Sequence, residues 1–448
     1  MNRKISWCSG LALPVLLVSA ALTACSGKTT TNSTVQTAVA LLRFNAADGA
    51  PDTSLGGNGL VTTDVNPSQN DLAFAVLLQS GKIIAVGNTF TTQASITLIR
   101  YNADGTLDSA FGSGGITVTS LPSADASAFA ATLQADGKIL VAGRSSASGS
   151  TNFLLLRYTT TGALDTMGFG APLGYVITPI PSGSESGAQA VALSGTNIVV
   201  AGHSKIGGKF AIALAQYTST GALDATFSGG IVTTPIGSGD ADAAALAVQS
   251  GDNKIVVAGL AGDVATNIWD VALLRYNTNG LLDTTGFVGG TGIVTTDIGS
   301  SSNYANAVAI QGDGKIVVAG NAFADPFGSG TSDIAVLRHN TDGSLDTAGF
   351  GSPNGYVTTN VGAFDNGFAV AVQPGDGKIV VAGNADAGVA DRFALLRYNA
   401  NGSLDTTTGF GGGTGIVTRA ASGPSPIASA NAVVLQPLDG AIVVVGYD

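Results

Sequence analysis

An all-β fold is what this sequence predicts, and three observations predict it. Helix formers are scarce: Gly accounts for 63 of 448 residues, charged residues for 11%, and Glu185 is the single Glu among 30 acidic residues. Gly and Asp favour turns, whereas Glu and Lys favour helices. The chain is self-similar at a period near sixty residues. Its two ends hold complementary halves of that period. A chain of this length would otherwise be expected to divide into two or three domains. A repeat architecture instead allows one domain over residues 37–448.

Four columns define the repeat. The Arg column holds Arg43, Arg100, Arg157, Gln216, Arg275, Arg338 and Arg397, spaced by 57, 57, 59, 59, 63 and 59 residues. The Gly column is Gly87, Gly143, Gly202, Gly259, Gly320, Gly383 and Gly446. The Asp column is Asp52, Asp108, Asp165, Asp224, Asp283, Asp346 and Asp405, and the Ala column runs from Ala75 to Ala432. Each period reads as four short strands separated by Asp-, Asn- and Gly-rich turns, a hairpin signal. In one copy these strands fall near 305–311, 315–321, 333–339 and 355–359. Runs such as FALLRY at 393–398 are almost continuously apolar. A sheet wet on one face would alternate, so both faces are expected to be covered.

Four-stranded sheets stacked face to face around an axis make a β-propeller. The chain opens on third and fourth strands (37–65) and closes on first and second strands (430–447). Joined, they complete one blade, so the expectation is seven blades with the last zipped from both termini. Closure would remove exposed sheet edges that invite aggregation.

The pattern RYNxDGxLDxxFG…GxVTT…DGKIxVAG, seen from Arg100 to Gly112 and from Asp313 to Gly320, resembles the delta-60 repeat family of bacterial β-propellers. The resemblance covers about residues 37–448 and implies a propeller, with no agreed catalytic motif. The first copy departs from it. Leu55 stands where Phe111, Phe169, Phe227, Phe287, Phe350 and Phe410 stand elsewhere. Looser packing is therefore expected in the closing blade.

The N-terminus reads as an export signal. A basic start (Arg3, Lys4) precedes an apolar stretch over 5–22, then Leu22-Thr23-Ala24-Cys25. That order resembles a bacterial lipobox. The resemblance implies removal of residues 1–24 and acylation of Cys25, with membrane attachment through several acyl chains. Ser26 after the Cys is similar to outer-membrane sorting signals of diderm bacteria. Residues 25–36, polar and rich in Ser and Thr, read as a flexible tether.

Charge and cysteine exclude several classes. Net charge is −11 and no Lys/Arg cluster occurs, so nucleic-acid binding is not expected. Cys8 and Cys25 are the only cysteines, which leaves no disulfide framework and no zinc spacing. Asn102–Asp108 vaguely resembles a calcium loop but lacks a distal Glu. A turn repeated in every copy suits structure better than a single site, with Asp108 across from Arg100. His203 and His339 fall at opposite ends of their strands, a poor arrangement for a shared metal or a triad. Gly411–Gly415 leads into a strand, so it makes no phosphate cradle. No metal, cofactor or catalytic residue is expected.

What varies between copies are the loops joining second to third strands (89–94, 204–208, 261–267, 322–332) and fourth to first strands. The latter carry Asp71, Asp125, Glu185, Asp240, Asp242, Asn303 and Asp365. Propeller geometry places both sets on one face, as an acidic ring around the channel mouth, with Trp269 nearby as an aromatic anchor. The expectation is a monomeric, lipid-anchored binding or interaction scaffold at the cell envelope, taking a protein or glycan partner. The alternatives are an envelope polysaccharide lyase or hydrolase, and a structural surface component without ligand.

Overall fold

The computed structural model describes residues 36–448, save 148, 264–267, 300, 325–330, 387, 389 and 423–426. The expected leader 1–24, Cys25 and all but the last residue of the tether lie outside the described residues. Among those described, no helix is long and apolar enough to cross a membrane.

Among the described residues, regular structure is almost entirely β, in 28 strands. The chain begins with β1 (Val39–Phe44) and β2 (Leu60–Thr63). Next come β3 to β6 (Asp71–Gln79, Lys82–Phe90, Ala94–Tyr101, Ile116–Thr119) and β7 to β10 (Asp125–Leu133, Ile139–Ala147, Ser150–Tyr158, Tyr175–Thr178). Strands β11 to β14 (Gly183–Ser194, Asn197–Ile206, Lys209–Tyr217, Ile231–Thr234) and β15 to β18 (Ala241–Val248, Ile255–Asp263, Ile268–Tyr276, Ile293–Thr296) follow. Then come β19 to β22 (Asn303–Ile310, Ile316–Phe323, Ser332–His339, Tyr356–Thr359) and β23 to β26 (Asp365–Val372, Ile379–Asp386, Asp391–Tyr398, Ile416–Ala420). The chain ends on β27 (Ser429–Leu435) and β28 (Ile442–Tyr447).

Hydrogen bonding joins these strands into six sheets, not the seven expected. Five have four strands. The sixth has eight, because β7–β10 and β11–β14 share one parallel bridge between Thr151 and Glu185. Strand β11, twelve residues long, starts early enough to reach its neighbour. The closing sheet has the order β2-β1-β28-β27. In it Val39 pairs with Tyr447 and Phe44 with Ile442, as the complementary ends require.

Packing follows the apolar runs. Every residue of β5, for example, is buried. Seven hydrophobic clusters each straddle two neighbouring four-stranded sets. One joins β3–β6 to β7–β10 through Ile84, Leu98, Val141 and Leu156. Two others flank the closing sheet, through Leu42 with Leu395 and through Leu41 with Ile99. The first strands touch in a cycle: β3, β7, β11, β15, β19, β23, β27 and back to β3. Each first strand carries a register shift in its middle, as at Ala73/Ala75 and Ala243/Ala245. Beside it, the Gly column is forced by close approach: a Cβ on Gly259 would collide with the Asp242 carbonyl oxygen.

The Asp column is structural, as the turn reading expected. Asp108 accepts from Arg100 Nε at 2.7 Å, and Asp405 from Arg397 Nε at 2.8 Å. A Lys on the second strand adds a second cation, as Lys82 does to Asp108 and Lys378 to Asp405. Each guanidinium also donates to a carbonyl of the next set, Arg100 to Thr160 and Arg338 to Ala400. Five stack on the repeat Phe, Arg100 on Phe111 at 4.4 Å among them. That Phe lies under a turn glycine of the following set; Gly343, at φ +86°, rests on the Phe287 ring. The looser packing expected at Leu55 is corrected, since Leu55 is fully buried beneath Gly105. What Leu55 does not provide is a ring beneath Arg43. The set with Gln216 lacks both cations, and Asn197 donates to Asp224 instead, at 2.7 Å.

Candidate functional site: the variable-loop face

The second-to-third and fourth-to-first connections emerge at the same ends of the strands, opposite the hairpins and the Asp-column turns. The carboxylates expected there do not form one open ring, and this corrects the sequence reading. Asp71, Asp242 and Asp365 are buried within first strands. Asp71 accepts from the Thr89 hydroxyl and from the N–H groups of Val65 and Asn66. Asp365 accepts from the N–H groups of Val361 and Gly362. Burial raises both carboxyls above the usual range, although these hydrogen bonds oppose it. At Asp71 and Asp365 the short polar side chain thus ties down the loop before the first strand. Asn303 is likewise buried and donates to the Ser301 carbonyl at 2.6 Å.

The other three carboxylates are more open but also engaged. Asp125 accepts from the Ala94 N–H at 3.0 Å, and Asp240 from the Phe210 N–H at 2.8 Å, each reaching the preceding set. Glu185 pairs with Lys205 at 2.8 Å, with both side chains about a third exposed. Such a pair contributes little stability.

The histidines part company. His203 is buried and meets Asp242 of the next set at 3.1 Å, with Phe210 edge-on to its ring. His339 is buried at the far end of a third strand, with Nδ1 2.9 Å from the Gly343 carbonyl. Among the described residues, no group of three His, Cys, Asp or Glu side chains could hold a metal ion.

Trp269 is half-buried near the start of β17. It is one of three aromatics, two of which the sequence reading missed. Tyr304, early in β19, has its ring centre 6.5 Å from that of Trp269, and Phe323, ending β20, lies 5.4 Å from Tyr304. All three are half-buried. The register explains the meeting: Tyr304 pairs with Asn321, two residues from Phe323, while Trp269 belongs to the preceding set. Gly262, opposite Trp269, leaves room for the indole. A signal was present in Tyr304, whose column holds no other aromatic, whereas Phe323 shares its column with Phe90. Phe323 also lines a cleft of about 250 Å³ with Asp333, Tyr356 and Thr358.

Fold and joints together define a repeat protein of the β-propeller class. Six copies of one family model, described as "Domain of unknown function (DUF5122) beta-propeller", match residues 78–111, 134–166, 197–227, 251–285, 311–348 and 375–407. These six segments are thus similar to β-propeller repeats of a family whose function is unknown. Among curated proteins no match is found. Several solved structures are similar at low identity. Sqt1 from Chaetomium thermophilum is 12% identical, covering 84% of this chain and 96% of that one, with a TM-score of 0.42. A streptogramin B lyase is 12% identical over 92% and 98%, with a TM-score of 0.43. The hydrazine synthase of Kuenenia stuttgartiensis is 13% identical over 84% and 94%, also at 0.43.

Proposed function

We propose that this chain is a seven-bladed interaction scaffold, exported and held to the cell envelope by acyl chains on Cys25. Seven four-stranded sets with a cyclic contact among their first strands support the blade count. The Thr151–Glu185 bridge then links two blades without merging them. The lipobox-like Leu22–Cys25 supports the anchor.

The observation that carries the binding reading is the Trp269–Tyr304–Phe323 cluster. Repeated polar groups serve the joints between sets, whereas these three aromatics meet at a single joint, half-exposed, beside variable loops. Large aromatics at a partly open site gain contact area at low entropic cost, which suits a glycan or protein partner. The full-length protein, purified in detergent, should be assayed against immobilised envelope glycans and proteins beside Trp269→Ala and Tyr304→Ala. A partner lost by at least tenfold in both variants, at unchanged melting temperature, supports the reading. Partners that bind all three alike overturn it. Mass spectrometry of the native N-terminus tests the anchor: an unmodified Cys25 or an uncleaved leader refutes it.

A further inference from the structure

On the opposite face a second cleft opens between two neighbouring sets. It has a volume of about 390 Å³ and is lined by Ile310, Gln311, Asp313, Val372, Gln373 and Pro374, with Arg338 at its side. The glutamines belong to a column at the end of the first strand, and their behaviour differs along it. Gln79 closes its own joint. Its Oε1 accepts from Arg100 at 2.6 Å and its Nε2 donates to the Gly137 carbonyl of the next set at 2.7 Å. Gln134 accepts from Arg157 at 3.3 Å. Gln311 is only 9% exposed, yet its Oε1 has no partner among the described residues, and neither does the Oε1 of Gln373. A buried amide oxygen without a donor is costly and asks for one.

The neighbouring charges do not supply it. Arg338 spends its donors on Asp346, Ala400 and Gly349, and Lys315 also pairs with Asp346. The far wall explains why this joint stays open. Its hairpin closes from Gln373 to Lys378, one residue longer than that from Gln134 to Lys138, and carries Pro374. Two cations, Arg338 and Lys315, are balanced by Asp346 and Asp313, so the cleft favours a neutral ligand. Amide side chains offer both an acceptor and donors, and Asp313 adds a further acceptor. Ile310, Val372 and Pro374 provide an apolar wall.

We propose that this cleft is a subsite for a neutral polyhydroxylated ligand, a pyranose ring, whose hydroxyls donate to Gln311, Gln373 and Asp313 while its C–H face meets Val372 and Pro374. It is independent of the aromatic cluster on the other face. Saturation-transfer NMR on the full-length protein with the methyl glycosides of glucose, galactose and mannose tests it, with n-propylammonium chloride as a charged control. At least one glycoside should bind saturably. Gln311→Met and Gln373→Met should each weaken it about tenfold or more, whereas Gln79→Met should not. Asp313→Asn, at an exposed turn, should weaken it without affecting folding, so the test survives if a glutamine variant misfolds. Failure of all three glycosides to bind, binding indifferent to Gln311, Gln373 and Asp313, or preference for propylammonium overturns the proposal.

Discussion

Arg397 donates through Nη1 to the carbonyl of Ala46, 351 positions earlier in the chain. The bond does at the closing joint what Arg100 to Thr160 does within the chain. The same guanidinium pairs with Asp405 and stacks on Phe410 at 4.1 Å. One side chain therefore fastens the last complete set to strands from the opposite terminus.

Arg397→Met should accordingly loosen closure. It leaves Asp405 buried with only Lys378 as a cationic partner and unfastens the Ala46 loop. Breaking a buried pair typically costs about 3–5 kcal/mol. Chemical denaturation should show a loss of that order, and hydrogen exchange should show β1 opening first. Unchanged stability would refute this role for the residue.

His339 occupies the position of Tyr101, Tyr158, Tyr217, Tyr276 and Tyr398. Those hydroxyls meet a Thr of the preceding set, as Tyr276 meets Thr234 at 2.8 Å. His339 Nε2 has no partner among the described residues, and burial lowers its pKa below 6.5 although the Gly343 carbonyl opposes this. An unfolded chain binds the proton more readily, so the group's contribution is present above pH 6.5 and fades as pH falls through the lower folded value. His339→Tyr should place a hydroxyl near Thr296, raise stability by about 1 kcal/mol and flatten this pH dependence. Melting curves between pH 7 and 5 measure both effects.

Asp283 governs a more acidic window. Burial alone would raise its carboxyl, but Lys254, the Gly286 N–H and Arg275 together push it down to about 2. In the unfolded chain it would titrate near 3.9. Its stabilising contribution is complete above that value and is lost as pH falls from about 4 to about 2. Asp283→Asn should lower stability at pH 7 and reduce the loss across that window, as acid titration followed by circular dichroism would show.

Gly259→Ala tests the close approach of first and second strands. The added methyl meets the Asp242 carbonyl, which belongs to a ladder and cannot withdraw without breaking it. A loss of about 2–3 kcal/mol is expected, in the range of overpacked cores. Gly251→Ala, where a Cβ meets nothing, should be close to neutral. Equal melting temperatures for the two variants would count against the clash.

Much of this architecture was legible in the chain itself. The period, the four strands per copy, the complementary ends and the Arg100–Asp108 pairing all follow from repetition. A contact needed in every set must be written in every copy. The sequence could not show that Asp71, Asp242 and Asp365 turn inward, because an Asp before a strand reads alike whether it faces water or caps a loop. Nor could it bring Trp269 to Tyr304 and Phe323, or leave the Gln311 oxygen unpartnered while that of Gln79 is bonded. Those outcomes are confined to some of the sets and depend on how two neighbouring surfaces meet. Local repetition fixes what every copy shares; packing across a joint decides which copy departs from it.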